Sequence, residues 1–251
     1  MKSNMLKAFT LLCFVLAFTG CKERANKLCL ALGLPGCKDR ETQYTYYDKA
    51  NSKPKEVFEV DKETGKKDGK YTLFTKDGSV KLVCSFEEGF VEDVHKSTMT
   101  DSRDGKTYKT VKICSQTWMA ENLNYESVNS YCYKDNPEKC WEYGRLYTWA
   151  AAKRACPAGW HLPSSQEWYV LIAFTGFSKT GLNRLSFSAL PAGGRNNGGY
   201  YYGEGLSAYF WSSTEANSYY AYHVDLRYVD DHAYLDSYDK IRGFSVRCLK
   251  D

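Results

Sequence analysis

Cys156 and His161 stand five residues apart, a thiol and an imidazole that together make a nucleophile when the ring takes the thiol's proton. The competing reading is a cysteine tied up in a disulfide and a histidine held in a Trp160-His161-Leu162-Pro163 turn, and a disulfide sulfur is no nucleophile. Acids and histidines gather again at His223, Asp225, Asp230, Asp231 and His232. On a strand His223 and Asp225 share a face, but so does any pair two residues apart. Calcium asks for about six to eight oxygens, and no acidic loop here offers them, so no metal site is expected. Glu204 with Glu215, and Asp230 with Asp231, have the residue type used in glycoside hydrolysis. That chemistry needs two carboxyls facing each other across a cleft, one with a raised pKa, which composition does not supply. No catalytic residue and no cofactor are assigned.

The stretch from Pro191 to Gly205 is richer in possibilities. Its repeated glycines disfavour helix and strand, so it reads as a loop bearing Arg195, Asn196, Asn197, Tyr200, Tyr201, Tyr202 and Glu204, with Trp211 just beyond. Ten of the 21 tyrosines fall between Tyr200 and Tyr238. Tyrosine gives apolar area with a polar tip at low entropic cost, as paratopes exploit. These eight residues are the candidate ligand contacts, expected to be largely exposed on one surface. The plainer alternative is that the rings fill a loop-rich core while the glycines permit turns.

Such a loop needs a scaffold, and 251 residues allow one large or two small domains. A hydrophobic fraction of 43% is enough for a packed core, and a mean hydropathy of −0.54 excludes a polytopic membrane protein. With 34 basic against 30 acidic residues and no basic run, nothing points to nucleic acid. Lys2 and Lys7 precede the uncharged apolar run Ala8–Phe18, too short to span a bilayer. The run ends in Thr19-Gly20-Cys21, which resembles a bacterial lipobox. The resemblance implies a signal peptide over 1–20, cleavage before Cys21 and lipid on its sulfur. Lys22 rather than aspartate follows, which by the sorting rule of well-studied bacteria points to the outer membrane or cell surface. Removing Lys2 and Lys7 leaves 32 bases against 30 acids, so lipid rather than charge would hold the membrane.

Eight further cysteines would remain after export: Cys29, Cys37, Cys84, Cys114, Cys132, Cys140, Cys156 and Cys248. An even number in an exported chain signals disulfides, and the lack of a C-x-x-C pair argues against zinc ribbon and thioredoxin-like chemistry. Spacing alone leaves the connectivity open. Residues 21–55 read as a lipidated tether in which Cys29 and Cys37 bracket a small apolar cluster and Glu41–Lys55 lacks fixed structure. Over 56–95, Tyr71–Phe74, a turn at Asp77-Gly78 and Val80–Cys84 form a β-hairpin. With Gly65–Tyr71 and Phe86–Gly89 this stretch resembles a MORN-like repeat; a lone hairpin is marginal in water, so it should dock on its neighbour. From Thr100 to Asp251 the pattern is one α+β domain. It has a strand at Thr107–Ile113, a short helix within Gly144–Ala155 and a capping box at Ser164–Glu167. Strands follow at Phe210–Ser213, Tyr219–Leu226 and Gly243–Leu249, the last with Phe244, Val246 and Cys248 on one face and Ser245 and Arg247 on the other.

Six motifs follow in order: Asp101–Ile113, Gln116–Tyr125, Gly144–Trp149, Cys156–Pro163, Phe210–Thr214 and Gly243–Cys248. Together they resemble the Fibrobacter succinogenes major paralogous domain family, a domain of secreted and lipoprotein chains related to the C-type lectin-like fold. The resemblance implies an α+β, C-type lectin-like domain with short helices and a mixed or antiparallel sheet, with Cys156 paired to Cys248 and Cys132 to Cys140. Cys114 stands where the family usually shows glycine, and Cys84 in the hairpin balances it, so these two are expected to join the hairpin to the domain. The calcium motifs of lectins are absent; Trp211 is followed by Ser212 and Ser213. The expected function is an envelope lipoprotein displaying a non-enzymatic domain that binds polysaccharide or a surface protein. The alternatives are a glycosidase-like envelope enzyme and a purely structural surface protein.

Overall fold

The computed structural model describes residues 38–47 and 54–251. The signal segment, Cys21 and the Cys29–Cys37 pair lie outside the described residues. The described residues divide into two compact units: a first of those up to 79 with 85–90, and a second of 80–84 with 91–251.

The first unit holds β1 (Arg40–Tyr46), β2 (Pro54–Asp61), β3 (Lys67–Phe74) and the later part of β4 (Val80–Glu87), whose residues 80–84 count with the second; these strands and β5 (Phe90–Val91) are hydrogen-bonded in that order. The expected hairpin is there as β3 and β4, with Thr75 N donating to Ser79 O at 2.9 Å across the turn. Two expectations change. The hairpin is part of a five-stranded sheet, and the supposed tether contains a strand, because β1 pairs antiparallel with β2 from Arg40 opposite Asp61 to Thr45 opposite Glu56. The polarity of Glu41-Thr-Gln-Tyr-Thr-Tyr46 marks an exposed edge rather than missing structure: threonine and tyrosine favour extended backbone. Val60, Tyr71 and Phe86 are buried, and the Lys67 ammonium lies 4.4 Å from the Tyr71 ring, where burial lowers its pKa. The buried Asp68 carboxylate accepts from Lys38 Nζ at 2.7 Å, Arg40 Nε at 2.5 Å and Glu88 N at 3.1 Å, which satisfies an otherwise costly charge.

The second unit begins before Thr100. Its strands run β6 (Val94–Thr100), β7 (Thr107–Ile113), β8 (Gln116–Met119), β9 (Ser130–Tyr131), β10 (Leu146–Tyr147), β11 (Trp160–His161), β12 (Ala192–Arg195), β13 (Tyr201–Glu204), β14 (Ser207–Glu215), β15 (Tyr220–Arg227), β16 (Ala233–Asp239) and β17 (Leu249–Lys250). They build sheets in the orders β11-β17-β8-β7-β6 and β13-β12-β14-β15-β16, and β9 pairs with β10. Four short helices punctuate them: α1 (Pro137–Tyr143), α2 (Trp149–Ala152), α3 (Ser165–Phe174) and α4 (Lys179–Arg184). The described residues are mostly β with few short helices, an α+β arrangement at the coarse level. The capping box starts α3 as its sequence requires: Ser164 Oγ accepts from Glu167 N at 3.2 Å and Glu167 Oε2 accepts from Ser164 N at 2.7 Å. Trp168 of α3 packs between Trp118 and Phe210, with ring centroids 4.9 and 5.6 Å away.

Gly243–Leu249 departs from the expected amphipathic strand. Only Leu249–Lys250 is regular strand, and Phe244, Ser245, Val246, Arg247 and Cys248 are all buried. The segment threads the interior and bonds to several elements at once: Phe244 N to Tyr147 O, Arg195 N to Gly243 O, Trp211 N to Ser245 O and Leu123 N to Val246 O. Both faces therefore meet protein. Arg247 is wholly buried and donates to Asn122 Oδ1 at 2.7 Å, Met119 O at 3.1 Å, Phe187 O at 2.6 Å and Ser188 O at 2.8 Å. Burial lowers its pKa to about 9, and neutral acceptors rather than a carboxylate satisfy its guanidinium.

Three disulfides form within the second unit, matching the expected pairs. The Cα atoms of Cys84–Cys114, Cys132–Cys140 and Cys156–Cys248 are 4.5, 5.0 and 5.8 Å apart, all within bonding range.

Candidate ligand-binding face

The glycine-rich stretch is a hairpin, not a loop. β12 and β13 pair antiparallel with Ala192 opposite Glu204, Gly194 opposite Tyr202 and Arg195 opposite Tyr201. The glycines serve close approach as well as turning. Gly193 has φ +64°, and a Cβ there would fall 2.7 Å from Glu204 N; a Cβ on Gly194 would sit 2.9 Å from the Phe244 ring. The turn closes on Asn196, whose N donates to Tyr200 O at 2.8 Å while its Oδ1 accepts from Tyr200 N at 2.9 Å.

Side chains of this hairpin grip Tyr131 and the Cys132–Cys140 disulfide loop, in which α1 begins. The Arg195 guanidinium lies 4.0 Å above the Tyr131 ring. Tyr201 packs at a tilt against Tyr133, with ring centroids 5.2 Å apart, and donates its hydroxyl to Asp135 Oδ1 at 2.5 Å; burial and this carboxylate push its pKa to about 12. Glu204 pairs with Lys139 at 2.8 Å, and Lys139 also pairs with Glu142 at 2.8 Å, so its pKa is raised by Glu142 and Glu204 together. Tyr202 turns the other way: its hydroxyl accepts from Arg242 Nη1 at 3.0 Å, and burial lifts its pKa to about 12. Asn197 and Tyr200 stay at the tip, with Tyr200 74% exposed.

The eight candidates thus separate. Asn197 and Tyr200 face solvent, Asn196 shapes its own turn, and Arg195, Tyr201, Tyr202 and Glu204 are half-buried braces. Trp211 is core, a correction to its place among the surface contacts: it is fully buried, donates Nε1 to Tyr147 O at 2.7 Å and packs 4.6 Å from Phe244. Both neighbours in Phe210-Trp211 are buried because β14 is covered on both faces, by Trp168 on one and Phe244 on the other.

The residues considered for catalysis are engaged elsewhere. Cys156 is disulfide-bonded. His161 sits between Asp251 Oδ1 at 2.6 Å and Glu167 Oε1 at 3.2 Å; burial opposes protonation, but the two carboxylates raise its pKa overall. Glu215 pairs with Lys240. Asp230 accepts from His232 N and the Tyr234 hydroxyl, and Asp231 accepts from Thr180 and Ser178, which hold its pKa near about 2. Glu215, Asp230 and Asp231 all have lowered pKa values, the wrong direction for a general acid. His223 and Asp225 are buried on β15, and among the described residues no three His, Cys, Asp or Glu side chains group as metal ligands.

Sequence reasoning passed over Trp141, which is 78% exposed on α1. The signal was present: Cys140 is the buried residue of Pro-Glu-Lys-Cys-Trp-Glu-Tyr143, so the next residue, about 100° around the helix, points away from that contact.

Fold and face together define a disulfide-braced, mostly β module with a rigid polar and aromatic surface. Residues 111–186 match the family described as the Fibrobacter succinogenes major domain. Gln116–Tyr125, Gly144–Trp149 and Cys156–Pro163 lie inside that match, while Phe210–Thr214 and Gly243–Cys248 lie beyond it yet fold into the same unit. No curated protein and no solved structure matches the chain.

Proposed function

We propose that this chain is an exported, lipid-anchored envelope protein whose second unit is a non-enzymatic, C-type lectin-like module that binds polysaccharide. The observation that carries the reading is the strapped β12–β13 hairpin, which holds Tyr200 74% exposed above a base fixed through Arg195, Tyr201 and Glu204. An exposed aromatic on an ordered backbone loses little freedom on binding, which is how preorganised surfaces gain affinity. The engagement of Cys156, Glu215, Asp230 and Asp231 in structural contacts supports binding over hydrolysis. Three disulfides suit an oxidising compartment, in keeping with the Ala8–Phe18 run and Cys21. A shallow site without calcium binds one sugar weakly, and dense display from a lipid anchor supplies avidity. The first unit keeps its MORN-like likeness over 65–89 as part of the same reading.

Two experiments test it. Mass spectrometry of the mature amino terminus should find a lipid-modified Cys21; an unmodified terminus elsewhere removes the anchor. The full chain should be retained by at least one polysaccharide on an insoluble-polymer and glycan-array panel, and Tyr200→Ala with Asn197→Ala should weaken retention several-fold with an unchanged circular dichroism spectrum. Retention by no polysaccharide, with capture by an envelope protein instead, sinks the polysaccharide reading.

A further inference from the structure

We infer that the open groove beside Trp141 is a second carbohydrate subsite and that it takes neutral polysaccharide; the inference rests on the polysaccharide-binding reading above. The groove encloses about 490 Å³ between the start of β7, the segment 120–124 after β8, the end of α1 and the Ser188–Leu190 turn. That is within the range of small-molecule sites and leaves room for a short run of sugar rings.

Its aromatic wall is unusual for this chain. Trp118, Trp168 and Trp211 are fully buried and Trp149 is 6% exposed, whereas Trp141 is 78% exposed and Leu190, which also lines the groove, is 40% exposed. The indole is carried on a fixed support. Cys140 beside it is bonded to Cys132, Asn136 caps α1 by accepting from Glu138 N at 3.0 Å, and Tyr143 O accepts from Asn122 Nδ2 at 2.8 Å. Gly144, at φ +74°, lets the helix end pass close to Asn122 and Leu123, since a Cβ there would lie 2.7 to 2.9 Å from their atoms. A flat apolar ring on a rigid support, next to a polar groove, matches a pyranose, which has one CH-rich face and a rim of hydroxyls.

Charge selects among polysaccharides. Lys106 pairs with Asp104 at 3.2 Å, Lys109 with Glu121 at 3.2 Å, and Glu142 with Lys139 at 2.8 Å. Every charged side chain of the wall thus already has an opposite partner. A polyanion would meet Glu121 and Glu142, and a polycation would meet Lys106 and Lys109, each without a net field in its favour. Neutral hydroxyls lose nothing by this cancellation and can both donate to and accept from the paired groups.

Affinity electrophoresis of the full chain tests the assignment, with galactomannan and mixed-linkage β-glucan as neutral probes and polygalacturonate and chitosan as charged ones. At least one neutral polymer should retard the wild type. Trp141→Ala should weaken that retardation about tenfold or more, as an aromatic anchor does, while Trp141→Phe retains most of it. The neutral polymer should also shield the wild type's tryptophan emission from acrylamide and leave Trp141→Ala emission unaffected. Equal retardation of wild type and Trp141→Ala overturns the subsite while leaving the polysaccharide reading intact, especially if Tyr200→Ala alone abolishes binding. Retardation by the charged polymers only overturns the neutral class. If none of the four polymers retards the wild type, the neutral subsite falls, while the polysaccharide reading is decided by the wider panel above.

Discussion

Lowering the pH from 7 to 5 should cost the second unit about 2 kcal/mol through one imidazole, that of His223. The residue is 2% exposed on β15, with Phe244 at 5.1 Å, Tyr238 at 5.5 Å and Tyr209 at 6.1 Å from its ring. Burial lowers its pKa to about 4; Asp236 on β16 raises it somewhat and Arg242 lowers it further. Its Nδ1 has no hydrogen-bond partner. The unfolded chain binds the proton with an ordinary pKa of about 6.5, so between these values the unfolded state holds more protons and stability rises with pH. The stabilisation is present above the unfolded pKa and is lost as pH falls toward the folded value, with a total near 3 kcal/mol and about 2 kcal/mol of it between pH 7 and 5. His161 has the opposite sign, because Asp251 and Glu167 raise its folded pKa and its contribution is lost as pH rises. Comparing wild type with His223→Phe removes that background. The assay is urea unfolding of the full chain followed by tryptophan emission, which reports the second unit because Trp118, Trp141, Trp149, Trp160, Trp168 and Trp211 all belong to it. The variant should be about 2 kcal/mol less sensitive to the pH change than the wild type. Equal sensitivity in both proteins refutes the assignment of the buried neutral imidazole.

Replacing Cys156 and Cys248 together by serine opens a loop of sequence separation 92 and should lower unfolding free energy by about 4 to 5 kcal/mol in the chain-entropy picture, read by the same urea titration. Gly193→Ala puts a side chain at φ +64° and 2.7 Å from Glu204 N, so thermal unfolding should show a loss of at least about 1 to 3 kcal/mol; an unchanged melting temperature would mean that the β12–β13 backbone is not as close as described. Arg247→Met leaves Asn122 Oδ1, Met119 O and Phe187 O without their donor, for a loss of about 2 to 4 kcal/mol. A more stable Met variant would show that desolvating the guanidinium outweighs its four hydrogen bonds.

Local rules carried much of the fold. The Ser164–Glu167 capping box, the Asp77-Gly78 hairpin turn and the alternation in Thr107–Ile113 each report a contact within a few residues, and each element formed where its residues demanded. The misreadings share a different cause. Glu41–Tyr46 carries no aliphatic residue because an exposed edge strand needs none, so composition could not separate it from a tether. The glycines of Pro191–Gly205 signalled turning, but Gly193 and Gly194 are there because β13 and the Phe244 ring leave no space for a Cβ. Only the tertiary neighbours state that reason, and no window along the chain contains them.

The last nine residues show why the site was harder to read than the scaffold. Alternation in Gly243–Leu249 predicts one buried and one solvent face, yet Ser245 and Arg247 are as buried as Phe244 and Val246. The segment bonds Tyr147, Arg195, Trp211, Leu123 and Met119, elements drawn from both sheets, and is anchored to Cys156. The β12–β13 hairpin takes its place from that segment, because Arg195 and Gly243 exchange both backbone hydrogen bonds while Gly194 rests on Phe244. The position of Tyr200 thus depends on residues more than forty places later in the chain, and so does the orientation of Arg195 over Tyr131. Trp141 depends instead on the short Cys132–Cys140 loop and on Asn122, whose Oδ1 also accepts from Arg247. One buried terminal segment therefore supports both candidate surfaces: the local pattern around Cys140 could say that Trp141 points outward, but only the distant segment fixes where either surface lies.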